Sequence, residues 1–329
     1  MSPPVADDPW ADVTDQVTRD LAVIALGGGH GLATTLGALR TFCSNITAVV
    51  TVADNGGSSG RLRQELGVLP PGDLRQALAA LCRDDEWGRT WASVLQHRFA
   101  TGGALHDHAV GNLLIVALWE LLGDHVEGLD WVGRLLGAQG RVLPMAAVPL
   151  DIEATVRGAD PARPDERSTV RGQVEVATTS GRVEAVELVP RNPPACPEVL
   201  EAIAVADWVV LGPGSWFTSV LPHLLVPELL GSLVKSPARR CVTLNVAPQP
   251  GETEGFGSST YLEVLAVHAP DLQIDVVVAD TNAVVDRAML EETVDGLGGA
   301  LVVADIAAAD GSPRHDIGRL ASVLGEVMR

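Results

Sequence analysis

The chain alternates between short apolar runs and segments whose apolar residues recur every three or four positions. Residues 21–26 (LAVIAL) and 46–53 (ITAVVTVA) are apolar with little alternation, which predicts strands covered on both faces. Between them, LATTLGALRTF places Leu32, Leu36 and Leu39 on one helical face. Strand, loop, helix, strand is a βαβ unit, which brings both strand ends to one edge of a parallel sheet. Helical spacing continues over residues 73–82 and 87–99. GNLLIVALWELLG is apolar nearly all round and predicts a buried helix. Residues 141–191 change character: they alternate, are rich in Val and Thr, and carry Ser180-Gly181 as a hairpin signal. The parallel pattern returns at ADWVVLGPGSWF, RRCVTLNVAP, IDVVVADTNAV and ALVVADIAA, with GFGSSTYLEVLAVHAP leading into a helix.

This order predicts an α/β fold. A doubly wound, mostly parallel Rossmann-like sheet over residues 20–329 carries a small antiparallel β-rich insertion at 141–191, behind an acidic lead-in at 1–19. Composition narrows the function. The 329 residues hold 42 acids against 23 bases, a net charge of −19, which argues against duplex nucleic acid and anionic membranes as partners. No apolar run is long enough to insert into a bilayer, and the acidic N-terminus is not a signal peptide. Cys43, Cys82, Cys196 and Cys241 lie far apart, as in a reduced cytoplasmic protein rather than a disulfide frame or zinc site. Lys235 is the only lysine and lies outside any glycine loop, so there is no P-loop.

The candidate chemistry gathers at strand ends. Gly27, Gly28, Gly29, His30 and Gly31 follow the first strand and open a helix, so their amides can face an anion; the plain alternative is a tight βα turn. Asp54 stands where a dinucleotide-binding protein places its ribose acid, which keeps an NAD(P)-dependent oxidoreductase open. Asn55, Gly56, Gly57, Ser58, Ser59 and Arg61 follow at once, with the hydroxyls, bare backbone and guanidinium of a second anion cradle. In PPGDLRQAL, Asp73 is placed to cap a helix, and Arg75 lies in the first turn, where a cation is disfavoured unless an anion is near. LHDHAVGN offers His106, Asp107, His108 and Asn112; two histidines without a third nearby ligand form a weak metal pattern. Gly212, Gly214 and Ser215 repeat the strand–glycine–helix logic, and Asn245 ends a further strand on the same edge.

These residues, in this order, resemble the YvcK/CofD-like family in its gluconeogenesis-factor branch. The matching segments are GGGHGLATTLGALR, ITAVVTVADNGGSSGRLRQELGVLPPGDLRQAL, LQHRF, HAVGNLLI, LGPGSWFTSVLPHLLVP and NVAPQPGETEG, from about residue 21 to past residue 305. The resemblance implies a cytoplasmic, homodimeric regulator, needed for cell shape and envelope growth on gluconeogenic carbon, that binds nucleotide sugars such as UDP-N-acetylglucosamine. Carried onto this chain, the glycines at 27–29 and 31 with Ser58, Ser59 and Arg61 would hold a diphosphate. Asn112 and residues 212–215 would hold the nucleoside, with Asn245 nearby. The CofD branch implies a different activity: a 2-phospho-L-lactate transferase that uses a guanosine diphosphate donor and Mg²⁺, with Asp54 as metal ligand or catalytic base. Two departures bear on that choice. The gluconeogenesis-factor branch often has threonine where His30 stands, and a second aspartate where Asn55 stands.

Overall fold

The computed structural model describes residues 20–329, so the acidic lead-in expected over 1–19 lies outside the described residues. Seven parallel strands form the main sheet: β1 (Ala22–Gly27), β2 (Asn45–Val50), β3 (Arg141–Pro144), β7 (Trp208–Leu211), β8 (Arg239–Thr243), β9 (Val276–Asp280) and β10 (Ala300–Ala304). Their spatial order is β10-β9-β8-β7-β1-β2-β3, with helices on both faces. The apolar runs dictate this, because β1, β7 and β9 are buried at nearly every residue and need cover above and below. Each fully buried Val, Leu or Ile contributes about 1.5–3 kcal/mol relative to exposure. All four cysteines are free and buried.

The second sheet has three antiparallel strands in the order β5-β4-β6: β4 (Asp151–Arg157), β5 (Arg167–Arg171) and β6 (Arg182–Val189). The expected antiparallel segment therefore needs a correction at its start. RVLP at 141–144 is β3, paired in parallel with β2, and the insertion begins at Asp151. Ser180-Gly181 does not join two paired strands either. β5 and β6 both pair with β4, and between them lies a short helix over Gln173–Ala177. QVEVA alternates as a strand would, but it starts after Gly172 at φ 110° and buries only Val176.

The helices that matter for the site are α1 (Gly29–Leu39), α2 (Gly57–Leu66), α3 (Pro71–Ala80), α4 (Glu86–Gln96), α5 (Val110–Leu122) and α6 (His125–Leu136). The short helix Gln173–Ala177 is α7. The rest are α8 (Pro197–Ala204), α9 (Pro227–Lys235), α10 (Ser258–His268), α11 (Arg287–Gly296) and α12 (Ile317–Val327). Two of them escape the sequence pattern. α2 holds the serines and Arg61 in a helix rather than an open loop, and buries only Ser58, Ser59 and Leu62. α6 follows α5 directly, starting at an Asp124 cap whose side chain accepts from the Glu127 amide. Among the described residues, no single helix is long and apolar enough to cross a membrane.

Candidate functional site

The chain leaves β1 toward β2 in one direction and re-enters at β7 to build outward in the other. The carboxyl ends of β1 and β7 thus flank a topological switch point, where open α/β sheets form a crevice. The two glycine loops meet there. A Cβ on Gly31 would overlap the Pro213 carbonyl, so the α1 entry and the β7 loop lie backbone to backbone. Thr35 donates to the Gly212 carbonyl at 3.2 Å, and Asn245 brackets Gly214 by accepting from its amide and donating to its carbonyl at 2.9 and 2.8 Å. Above them opens a cleft of about 460 Å³. Its lining includes His30, Gly31, Gly214, Ser215 and Asn245 from the predicted set, with Gln173 and Ala177 of α7 on one side and Arg314 and His315 on another.

The two loops are not chemically equivalent. α1 has Gly28 as an N-cap with no side chain and no acid in its first turn. Its Gly29 amide is taken by the Asp73 carboxyl from α3, while no side chain among the described residues bonds the His30 and Gly31 amides. After β7 the chain enters a tight turn over Trp216–Val220, and there the Glu252 carboxylate accepts from the Phe217 and Thr218 amides at 2.7 and 3.2 Å and from the Ser215 hydroxyl at 2.7 Å. Glu252 is 4% exposed. Burial raises its pKa, while Ser215 and the two amides oppose the shift. The turn that follows the glycine loop at 212–215, expected to repeat the logic of the first loop, is therefore already occupied by the protein's own carboxylate. Of these two loops, the α1 start is the one that keeps amides without a side-chain partner among the described residues, those of His30 and Gly31.

Behind the α1 entry stand two acids. Asp54 lies beyond the end of β2 and accepts from the Gly56 amide at 2.9 Å. Asp73 is not the N-cap of α3, as its sequence position suggested. Pro70 holds that place, and Asp73 reaches back to the Gly29 amide, against the Gly28 backbone. Burial first, and then the Asp54 charge, push the Asp73 carboxyl up to about 7. Asp54 packs close to Gly72, where a Cβ would come within 3.1 Å of its Oδ2.

Several predicted ligands prove to be bonded to one another. Ser58 Oγ accepts from the Asn112 side chain at 3.0 Å and the Ala109 amide at 3.4 Å, so its single proton goes to His108 Nδ1, 3.0 Å away. That fixes His108 as the Nε2–H tautomer, in keeping with a pKa lowered by burial and by Arg61. Asn112 then accepts from Arg75 Nε at 2.8 Å. Arg61 turns outward and donates to the His106 carbonyl at 2.7 Å. Asn55 faces the insertion, donating to Glu175 at 2.8 Å and accepting from the Val174 amide at 3.0 Å. Ser59 is buried against Gly72. The predicted residues thus divide into a cleft set at α1 and β7–β8 and an internal scaffold beneath α2. Glu252, Arg314, His315 and Gln173 carried no sequence signal, because only the folded chain brings them to the cleft.

Comparison with known proteins agrees with this architecture. The family model described as 2-phospho-L-lactate transferase CofD matches residues 23–310. A Mycobacterium tuberculosis protein named "Putative gluconeogenesis factor" is 52% identical over 308 residues, covering 93% of this chain and 90% of its own. The Bacillus subtilis "Gluconeogenesis factor" is 35% identical over 265 residues, 80% of each chain. A crystal structure of a UPF0052 family member from Bacillus halodurans superposes with a TM-score of 0.82 at 32% identity, covering 92% of this chain and 98% of that one.

Proposed function

Because the chain belongs to the 2-phospho-L-lactate transferase CofD family and has relatives named gluconeogenesis factors, we propose that it is a nucleotide-sugar-binding regulator, with UDP-N-acetylglucosamine as ligand. One observation carries the reading: the start of α1, with the His30 and Gly31 amides unpartnered by any described side chain, opens into the switch-point cleft, whose other amide-rich turn is already neutralised by Glu252. The diphosphate rests on the amides of His30 and Gly31, with Arg314 also lining the cleft. The nucleoside lies along the wall formed by Val246, Pro248 and Pro250. A cytoplasmic, homodimeric role in directing carbon into the envelope follows from the branch resemblance.

A second reading is favoured by the Asp54–Asp73 pair. In the transferase branch these two carboxylates would hold Mg²⁺, which would neutralise phosphate charge. Two carboxylates suit that ion, which customarily completes its shell with water and substrate phosphates. Among the described residues no group of three or more His, Cys, Asp or Glu side chains could hold a metal unaided. No observation favours the NAD(P) oxidoreductase. Calorimetric titration with UDP-N-acetylglucosamine, GDP and NADH, with and without Mg²⁺, separates the three. The expected result is Mg²⁺-independent binding of the UDP-sugar, weakened about tenfold or more by Arg314→Ala through loss of a charge-assisted contact. Selective, Mg²⁺-dependent GDP binding would move the protein to the transferase reading.

A further inference from the structure

A second cavity, of about 680 Å³, lies between α1, α3 and α4. Alanines from all three helices form much of its wall, with Arg75, Gln96, Arg98 and His30 as its main polar groups, and no acid lines it. In a chain of net charge −19 that combination needs a reason.

Arg75 supplies one. It is 3% exposed, yet its hydrogen-bond partners are neutral amides: Nε donates to Asn112 and Nη1 to Gln96. Its Nη2 forms no hydrogen bond to any described residue. Amide oxygens satisfy N–H groups but leave the charge of a buried guanidinium unbalanced, and buried charges are ordinarily paired. Asp73 and Asp54 are the acids whose charges reach it, and each acts on it less than the opposing charge of Arg98. Both acids also have partners elsewhere, the Gly29 and Gly56 amides. Burial and then Arg98 take Arg75 down to about 10, which leaves it cationic at neutral pH. Arg98 uses Nη1 on the Asp107 carbonyl at 2.7 Å and pairs with the Asp107 carboxylate at 3.5 Å in a half-exposed contact outside the cavity lining. Two cations therefore share one acid-free cavity.

We infer that this cavity is a binding site for a small dianion, a phosphomonoester or a dicarboxylate, whose charge bridges Arg75 and Arg98 while its carbon frame lies on the alanine wall. The site is separate from the nucleotide cleft and does not depend on that assignment. His30 lines both cavities, so the two ligands meet across one side chain.

The test uses the full chain, with inorganic phosphate, glycerol 3-phosphate and succinate as probes, titrated by calorimetry in the absence and presence of saturating UDP-N-acetylglucosamine. One probe should bind one per chain with Kd below about 1 mM. Arg98→Ala should weaken it about tenfold or more, as expected for loss of a charge-assisted contact. Because Arg98 also braces the turn at Asp107, Ala92→Leu is the second variant. It fills the cavity without changing charge and should exclude glycerol 3-phosphate or succinate. Preference between those two probes tells phosphomonoester from dicarboxylate. Binding that survives in both variants, failure of all three probes, or one-for-one displacement by the UDP-sugar would each overturn the site. Loss of UDP-sugar binding alone would overturn only the nucleotide assignment.

Discussion

Asp73 shows how one residue reports on the site it belongs to. Its carboxyl, pushed up to about 7 from an ordinary 3.8, prefers the neutral form in the folded chain. The stability this lends is complete below pH 4 and is lost as the pH climbs through 7, because the native state holds the proton longer than the unfolded chain does. His223 acts in the opposite sense. It is fully buried and lowered to about 4, so its contribution grows as the pH rises from 4 to 6.5. Comparison with Asp73→Asn isolates the first effect. Between pH 5 and 8, wild type should lose about 1–3 kcal/mol of stability relative to the variant in urea titrations. A constant difference across that range would mean that Asp73 is ordinarily ionised and not pressed against Asp54.

At the scale of elements, the insertion is fastened to the site by α2 and the loop before it. Asn55 both donates to Glu175 and accepts from Val174, a pair of roles that an aspartate could not fill beside a glutamate. Arg63 of α2 and Arg171 of β5 share Asp151 at 2.6 and 2.7 Å, adding a second fastening. The asparagine at a position where the resembling branch often has an aspartate is therefore matched to Glu175 in α7. Asn55→Asp would set two carboxylates together and should release α7, which forms one side of the nucleotide cleft. Hydrogen exchange over 173–177 should accelerate about fivefold or more, a loosening on the order of 1 kcal/mol. Unchanged protection would show that the Asp151 contacts hold the insertion alone. Six of the seven parallel strands were legible in the sequence because both-face burial leaves uninterrupted apolar runs; β3, only RVLP, was read into the insertion. α2 was not, since its buried positions are two serines and one leucine and its exposed face reads as a polar loop. α7 was missed for a related reason: five residues of alternating QVEVA carry a strand's period in a helix too short to show its own.

Over the whole molecule, the strand order decides what can be a site. The order β10-β9-β8-β7-β1-β2-β3 puts the switch point between β7 and β1, and the loops that the sequence singled out at 27–31, 212–215 and 245 converge there. The scaffold residues Ser58, His108 and Asn112 looked like ligands for the same reason that they form a network. Each offers polar groups in an apolar setting, and only tertiary contacts show whether those groups are already paired. Glu252 is the converse case, an acid unremarkable in sequence that decides which of two similar loops is free to bind. On the proposed function, position decides: the anion should bind at the start of α1 and not at the turn after β7. A crystal structure of the protein with UDP-N-acetylglucosamine tests it most directly. Diphosphate oxygens should lie within hydrogen-bonding distance of the amides of His30 or Gly31, with Glu252 still bonded to Ser215 and Phe217. A diphosphate seated on residues 214–217, with Glu252 displaced, would contradict it.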